Sequence, residues 1–576
     1  MGKIRPWRYP AKWGLFRIDD RLLLIVIGAV VGNCSGIAAL LLNRSLIAIL
    51  EMLHDYRHYW WAFVLPATGA ALSSLFLKKI IKEDAGHGVP EVIYSVSRRG
   101  GLLRLRSSFS RLISSCLTIG SGGSAGPEAP VVMSGAAIGS NIARFFALND
   151  RQRITLVGCG AAGAISSIFN APIAGMVFSI EVIIGEWSAV NIIPIAIAAV
   201  AGTEVSRVLQ GNQIAFSHRQ FNLGTIDIVA GIGIAVVTAT LSIVLTRLLR
   251  KMHKVSGQVN MPLWSKAALG GCAVGMIGIF FPDVLGEGYH SIRNMIEGAY
   301  PGGIAIVSFL MLAKILATSF TLGWGGSGGI FAPCLVIGSF AGIAWHRLIV
   351  FIFPSIAWAN EGCFALIGMA GMISGILQAP LTAIFLIVEI TGGYEVILPL
   401  ILVSAISATL CHYFEPASFY LRDLVERRQL LRPGTDGRVL ADLRVGELLE
   451  RDCIVVGRHM LLRDFVEIVK KSHRNYFPVE DEHTGKFIGM IHLDHIRPYL
   501  FDSVMYDTVF LEQIMETDVV RAYLDNDLND ILREMDTLNL YSIPVISDGR
   551  FVGMISKATI LNQYRKELLV QTTHWT

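Results

Sequence analysis

The chain has 576 residues, 53% of them hydrophobic and 16% charged, with a mean hydropathy of +0.54 and a formal net charge of +4. Such apolarity exceeds that of soluble globular domains, and so small a positive charge gives no reason to expect nucleic acid as a partner. The eight cysteines (34, 116, 159, 272, 334, 363, 411 and 453) form no Cys-X-X-Cys pair and read as small core residues in a reducing or membrane setting.

Lys3, Arg5, Arg8, Lys12, Arg17 and Arg21 precede the first apolar run, Leu22 to Leu42, and seven basic residues from Lys78 to Arg106 follow the second, Trp60 to Leu77. Basic flanks stay on the cytoplasmic side, which places residues 54–58 outside. The N-terminus is charged and aromatic and lacks a small-residue cleavage site before its first apolar run, so no cleavable signal peptide is expected. Further candidate spans are Ile192 to Ala201, Ile226 to Leu249, Ala267 to Phe281, Ile304 to Ala317, Pro333 to Phe353 and Ile397 to Cys411. Several fall short of the roughly 20 residues that cross hydrocarbon, which predicts broken or re-entrant helices. In transporters, such segments in matching halves mark the binding site. The expectation is a multi-pass protein of a cell (inner) membrane, with compact length and short linkers pointing to a bacterial one.

Two phrases recur in the same order. Gly122 to Pro130 (GGSAGPEAP) returns as Gly325 to Pro333 (GGSGGIFAP), and Gly163 to Pro172 (GAISSIFNAP) returns as Gly371 to Pro380 (GMISGILQAP). Each copy of the second phrase leads to an apolar run ending in an acid, Glu181 or Glu389, which reads as a helix cap or bridge. The membrane part is therefore a duplication, with halves at about 21–220 and 221–425.

The glycine-rich turns carry the chemistry. An anion inside a bilayer needs partial positive charge, and unpaired N–H groups at helix N-termini supply it. Glycine lets the backbone approach closely, and proline suits a helix's first turn. Three segments have this form: Gly86-His87-Gly88-Val89-Pro90, Gly126-Pro127-Glu128-Ala129-Pro130 and Gly329-Ile330-Phe331-Ala332-Pro333.

These three phrases resemble those of the CLC family of chloride channels and proton/chloride antiporters. GHGVP is similar to the family's GSGIP and GPEAP to its GREGP, while GIFAP is identical. The resemblance implies an all-α polytopic membrane domain of inverted repeats with broken helices, acting as a homodimer with a separate pore per subunit. It implies that Glu128 is a carboxylate gate and that Gly86, His87, Gly88, Val89, Pro90, Gly126, Pro127, Ala129, Ile330, Phe331 and Ala332 surround chloride or a similar monovalent anion. A coordinating tyrosine falls on Tyr420, in PASFYLRDL; the alternative is an aromatic-belt residue at the lipid interface.

Two departures matter. His87 replaces the family's serine, while Pro127 and Ala129 replace its arginine and second glycine, so His87 either tunes anion preference with pH or contributes only backbone. In proton-coupled members the phrase NAPLAGILFIIEE ends in a relay acid, where this chain has Val182 after Glu181. An aliphatic side chain passes no proton, so a passive gated channel is expected, with a proton-coupled chloride antiporter or a fluoride-type exchanger as alternatives. Glu186, one helical turn on, is the candidate substitute relay.

Composition changes near residue 422, and residues 426–440 form a charged linker. Two similar units follow, at 441–505 and 506–576, each with an aromatic before a Pro-Val strand, a turn and a Gly-Met-Ile strand: NYFPVEDEHTGKFIGMIHLDHI and LYSIPVISDGRFVGMISKATI. They resemble CBS domains, implying an α/β cytoplasmic tandem. Where nucleotide-binding members keep a ribose-holding Asp, this chain has His495 and Thr559, which weighs against adenine nucleotide and for a structural, dimer-stabilising pair. Neither cofactor nor metal is expected, since His492 and His495 lack further partners. The absence of a nucleophile–base phrase, HExxH or a P-loop weighs against an enzyme. A membrane-anchored sensor remains a further alternative.

Overall fold

A computed structural model describes residues 20–53, 55–83, 88–212, 216, 221, 223–298, 300–427, 443–500 and 504–573. It divides into two units, residues 1–430 and 431–576. Gly86, His87 and residue 54 lie outside the described residues.

The first unit is helical. Among the described residues, eight helices are long and apolar enough to cross a bilayer: Arg21–Met52, Trp61–Ile81, Ala189–Gln210, Thr225–Gln258, Leu263–Phe280, Ile304–Gly323, Phe331–Ile352 and Tyr394–Phe414. They coincide with the eight apolar runs, but several are longer than those runs. Ile192 to Ala201 is only the middle of the 22-residue helix Ala189–Gln210. There, polar residues end the apolar run without ending the helix: Thr203 Oγ1 donates to the Ala199 carbonyl at 3.0 Å, and Arg207 pairs with Glu204 at 3.1 Å.

The breaks fall at the repeated phrases instead, where apolar helices Pro172–Ile184, Glu361–Leu377 and Pro380–Thr391 are short. Asn170 and Gln378, just before the Ala-Pro pairs, both take φ 53, the left-handed conformation that closes the preceding helix. Proline then opens the next helix, where its missing N–H costs nothing.

The duplication is visible in the packing. Glu128–Phe145 packs on Asp150–Phe169 as Phe331–Ile352 packs on Glu361–Leu377. Asp20–Met52 lies against Asp150–Phe169 and Ala189–Gln210 as Thr225–Gln258 lies against Glu361–Leu377 and Ile397–Phe414. Glycine makes the close contacts: a Cβ on Gly135 would stand 2.2 Å from the Gly160 carbonyl oxygen, and one on Gly338 2.5 Å from that of Gly368. Small residues at helix crossings are how membrane helices gain contact when lipid offers no hydrophobic drive. One buried apolar core draws on both halves. Five of the eight cysteines are buried, but Cys34 is exposed on the first helix, contrary to a uniform core assignment.

The second unit holds two three-stranded sheets, Val456–Gly457, Tyr476–Glu480 and Phe487–His492, then Ala522–Tyr523, Ser542–Ser547 and Arg550–Ser556. In each the first pairing is parallel and the second antiparallel, with register breaks at Val479/Glu480 and Val545/Ile546. The two cores exchange their leading segments. Leu443, Val445 and Leu448 pack with the second sheet, while Leu511 packs with the first. A cut at 505/506 therefore divides the sequence repeats but not the cores.

Candidate functional site: the junction of the repeated turns

The two Gly-Gly-Ser phrases meet each other. Gly126 N–H donates to the Gly329 carbonyl at 2.8 Å and Gly329 N–H to the Gly126 carbonyl at 2.7 Å, an antiparallel bridge between the halves. Around it the bonding is two-fold: Ser124 N–H donates to Thr321 Oγ1 at 3.0 Å, and Ser327 N–H to Thr118 Oγ1 at 3.2 Å. Gly122 (φ 110) and Gly325 (φ 101) make the same left-handed turn in each copy, a conformation that L side chains resist.

From this bridge two helices diverge, Glu128–Phe145 and Phe331–Ile352. Their first helical bonds run from Val131 N–H to Pro127 O (3.1 Å) and from Cys334 N–H to Ile330 O (3.0 Å). Pro130 and Pro333 have no N–H, so Glu128, Ala129, Phe331 and Ala332 are left as donors without intrahelical partners. The third turn joins them: a Cβ on Gly88 (φ 80) would lie 3.1 Å from Met133 Cβ and 3.3 Å from the Ala129 carbonyl oxygen. Val89 and Pro90 open the helix Val89–Arg98 at that point.

Glu128 is 2% exposed. Its Oε1 accepts the hydroxyl of Tyr289, while Oε2 is buried without a hydrogen bond. The backbone N–H groups of Glu128 and Ala332 lie beside this carboxylate without completing a bond to Oε2. A Cβ on Gly126 would come within 2.0 Å of Oε2, so glycine there is what allows the carboxylate to lie over the bridge. A buried carboxylate oxygen left unpaired is costly and rarely kept without use.

Phe331, the counterpart of Glu128, is buried, and its ring packs on Phe169 (5.8 Å) and Phe178 (6.4 Å). Pro127, Ala129, Ile330 and Ala332 are all buried around the bridge. Tyr420 is 2% exposed, packs on Phe419 at 5.6 Å and is close enough to Glu128 to sense its charge. That burial removes the belt alternative.

The second repeated phrase makes a second reciprocal contact. Glu181 accepts from the N–H groups of Leu381 (3.2 Å) and Thr382 (2.7 Å) and from Thr382 Oγ1 (2.7 Å). Glu389 accepts from the N–H groups of Ile173 (3.0 Å) and Ala174 (2.7 Å). Each acid thus caps the N-terminus of the other half's helix, the favourable end for a carboxylate. Val182 packs half-buried against the apolar core. Glu186 does not lie one helical turn on: the helix ends at Ile184, Gly185 takes φ 71, and Glu186 is exposed beyond it.

The family model described as "Voltage gated chloride channel" matches residues 69–412, and the CBS domain model matches 445–502 and 511–566. The chain belongs to the CLC family. The H(+)/Cl(-) exchange transporter ClcA of Vibrio cholerae is 30% identical over 401 residues, covering 66% of this chain and 84% of that one. Chloride channel protein CLC-f of Arabidopsis thaliana is 26% identical over 619 residues, covering 92% and 78%. Among solved structures, a slow cyanobacterial Cl-/H+ antiporter superposes with a TM-score of 0.65 at 22% identity, covering 72% of this chain and 99% of that one. This CLC protein is accordingly a multi-pass membrane protein with a CBS pair at its C-terminal end.

Sequence reading of this CLC chain missed the segment 283–289 (DVLGEGY), which brings Tyr289 onto Glu128. A fully buried lysine, Lys314, in the middle of an apolar span was the available signal.

In the CBS pair, the two positions that would hold ribose are engaged internally. Thr559 Oγ1 donates to Glu450 Oε1, joined by Ser556 Oγ at 2.5 Å, and Arg474 bridges Glu450 and Asp452. His495 Nδ1 lies 4.0 Å from Glu516 Oε2. Partial burial raises the Glu450 carboxyl, but the hydroxyls of Ser556 and Thr559 and the Arg474 guanidinium outweigh it and hold the group below the usual carboxylate range. The stability this confers is complete above the ordinary value near about 4.3 and is lost as pH falls through the lower folded value. Limited proteolysis of the full chain is therefore expected to leave this unit intact at pH 7 and cut it readily at about pH 3. Glu450→Gln would narrow that difference, with the depressed carboxyls of Asp452, Asp481 and Asp507 supplying the rest.

Proposed function

We propose that this CLC protein carries chloride across the membrane along a path that the carboxylate of Glu128 closes. The observation that carries this reading is the unpaired, buried Oε2 of Glu128, lying over the bridge between the repeats beside N–H groups from both. Those donors attract a monovalent anion and a carboxylate alike, so the two compete for one place. Gly86 to Pro90, Gly126 to Ala129, Ile330 to Ala332 and Tyr420 are the proposed surroundings of the anion, in each subunit of a homodimer whose N-terminus and CBS pair face the cytoplasm. The CBS pair serves structurally, without nucleotide, because a carboxylate already binds Thr559.

Passive conduction is the mode that Val182 supports. No acid stands at that point, and Glu186 is off the helix. Proton-coupled exchange is the second reading, supported by the similarity to proton/chloride exchangers.

Purified protein in liposomes separates them, with anion flux and internal pH followed together. A channel moves chloride without stoichiometric protons, and a pH gradient alone drives no uptake. Proton movement in fixed ratio to chloride would establish exchange, faster fluoride than chloride would establish the fluoride-type reading, and absence of all flux would leave a sensor.

A further inference from the structure

Beside the gate candidate, one short segment gathers polar groups that the anion path does not require. Tyr289 donates its hydroxyl to Glu128 Oε1, and its ring is held against Phe216 at 5.9 Å and Phe169 at 6.5 Å. Two residues earlier, Glu287 lies within electrostatic reach of Glu128 on one side and Lys314 on the other. Lys314 is fully buried, and its ammonium donates to the carbonyls of Val284 and Gly286, both at 2.9 Å. The intervening Gly288 (φ 83) sits so close that a Cβ on it would stand 3.4 Å from Lys314 Nζ and 2.7 Å from a Val336 methyl. Asp283, also near Lys314, is occupied by Ser291 Oγ at 3.1 Å and the Tyr300 hydroxyl at 2.7 Å. The other titratable groups that sense Glu128 are Cys334 and Tyr420.

The arrangement places two carboxylates, Glu128 and Glu287, within electrostatic reach of each other, with the Lys314 ammonium near Glu287. A phenol hydroxyl donating to one of them favours that one's charged form. Tyr289 therefore favours the charged form of Glu128.

We propose that Tyr289 is a positioning residue of the gate: its hydroxyl latches the charged Glu128 carboxylate in the anion path, and the loss of that bond when Glu128 takes up a proton helps to release the path. This rests on the reading of Glu128 as the gate. When a proton from the water phase forms an O–H bond on Glu128, the carboxyl loses its charge, its bond from Tyr289 weakens, and the anion replaces it at the free N–H groups.

The test is chloride efflux from liposomes bearing the full chain, measured from pH 4 to pH 9. Flux of the wild type rises as pH falls. Tyr289→Phe removes the donor, so the half-maximal point moves up by about one unit and flux at pH 7 increases. Phe216→Leu, which loosens the ring that holds the hydroxyl, moves the midpoint the same way and covers the case in which Tyr289→Phe folds poorly. Glu128→Gln gives flux without pH dependence. An unchanged midpoint with reduced amplitude in Tyr289→Phe would overturn the latch and leave the segment a structural ballast for Lys314. A pH profile that survives in Glu128→Gln would instead overturn the gate reading itself.

Discussion

Glu128→Ala is expected to open the path: chloride efflux from liposomes at pH 7 rises about tenfold and no longer varies with pH. The size follows from competition. The carboxylate holds a place that the anion also seeks, and an advantage of only about 1.4 kcal/mol for the carboxylate keeps nine sites in ten closed. Removing the side chain abolishes the competitor but leaves the donors, since these are the main-chain N–H groups of residues 128, 129, 331 and 332. Phe331→Ala makes the contrast. It deletes a ring packed on Phe169 and Phe178, so it weakens packing and selectivity while the pH dependence stays. A Glu128→Ala protein with wild-type flux would remove the gate assignment.

Glu389→Ala is expected to cost about 3 kcal/mol of stability, because two N–H donors, Ile173 and Ala174, lose a charged acceptor in a largely buried setting. In detergent the melting temperature should fall by roughly 6 °C. Glu181→Ala should cost at least as much, since three donors lose their partner. Glu389→Gln retains one acceptor oxygen and should recover about half of the loss. Flux per folded molecule should be unchanged in all of these. A stable Glu389→Ala protein with altered proton movement would give the acid a transport role instead.

Much of this arrangement was legible in the sequence because the information is local. Gly-Pro turns encode helix starts, and a phrase that recurs with one altered letter marks Glu128 against Phe331. Helix length was less legible, since Thr203, Glu204 and Arg207 read as a chain leaving the membrane whereas their side chains find partners along a continuing helix. The role of Tyr289 was invisible for a different reason. It lies 161 residues from Glu128, and only the fold brings DVLGEGY under the gate. The exchange of leading segments between the two CBS cores is likewise a long-range result that repeat boundaries cannot encode. Glu186 misled because spacing alone assumes that a helix continues, and Gly185 ends it.

The bridge between Gly126 and Gly329 consists of main-chain atoms alone. After an ancestral gene doubled, mutations that changed side chains on either copy would have left that seam intact, so the two copies were free to drift apart beside it. One kept or acquired a carboxylate and the other an aromatic ring, with no penalty to the join. Two surfaces that began identical could thus come to carry different chemistry, a carboxylate on one and an aromatic ring on the other, within a single polypeptide, which a symmetric pair of separate chains could not have done.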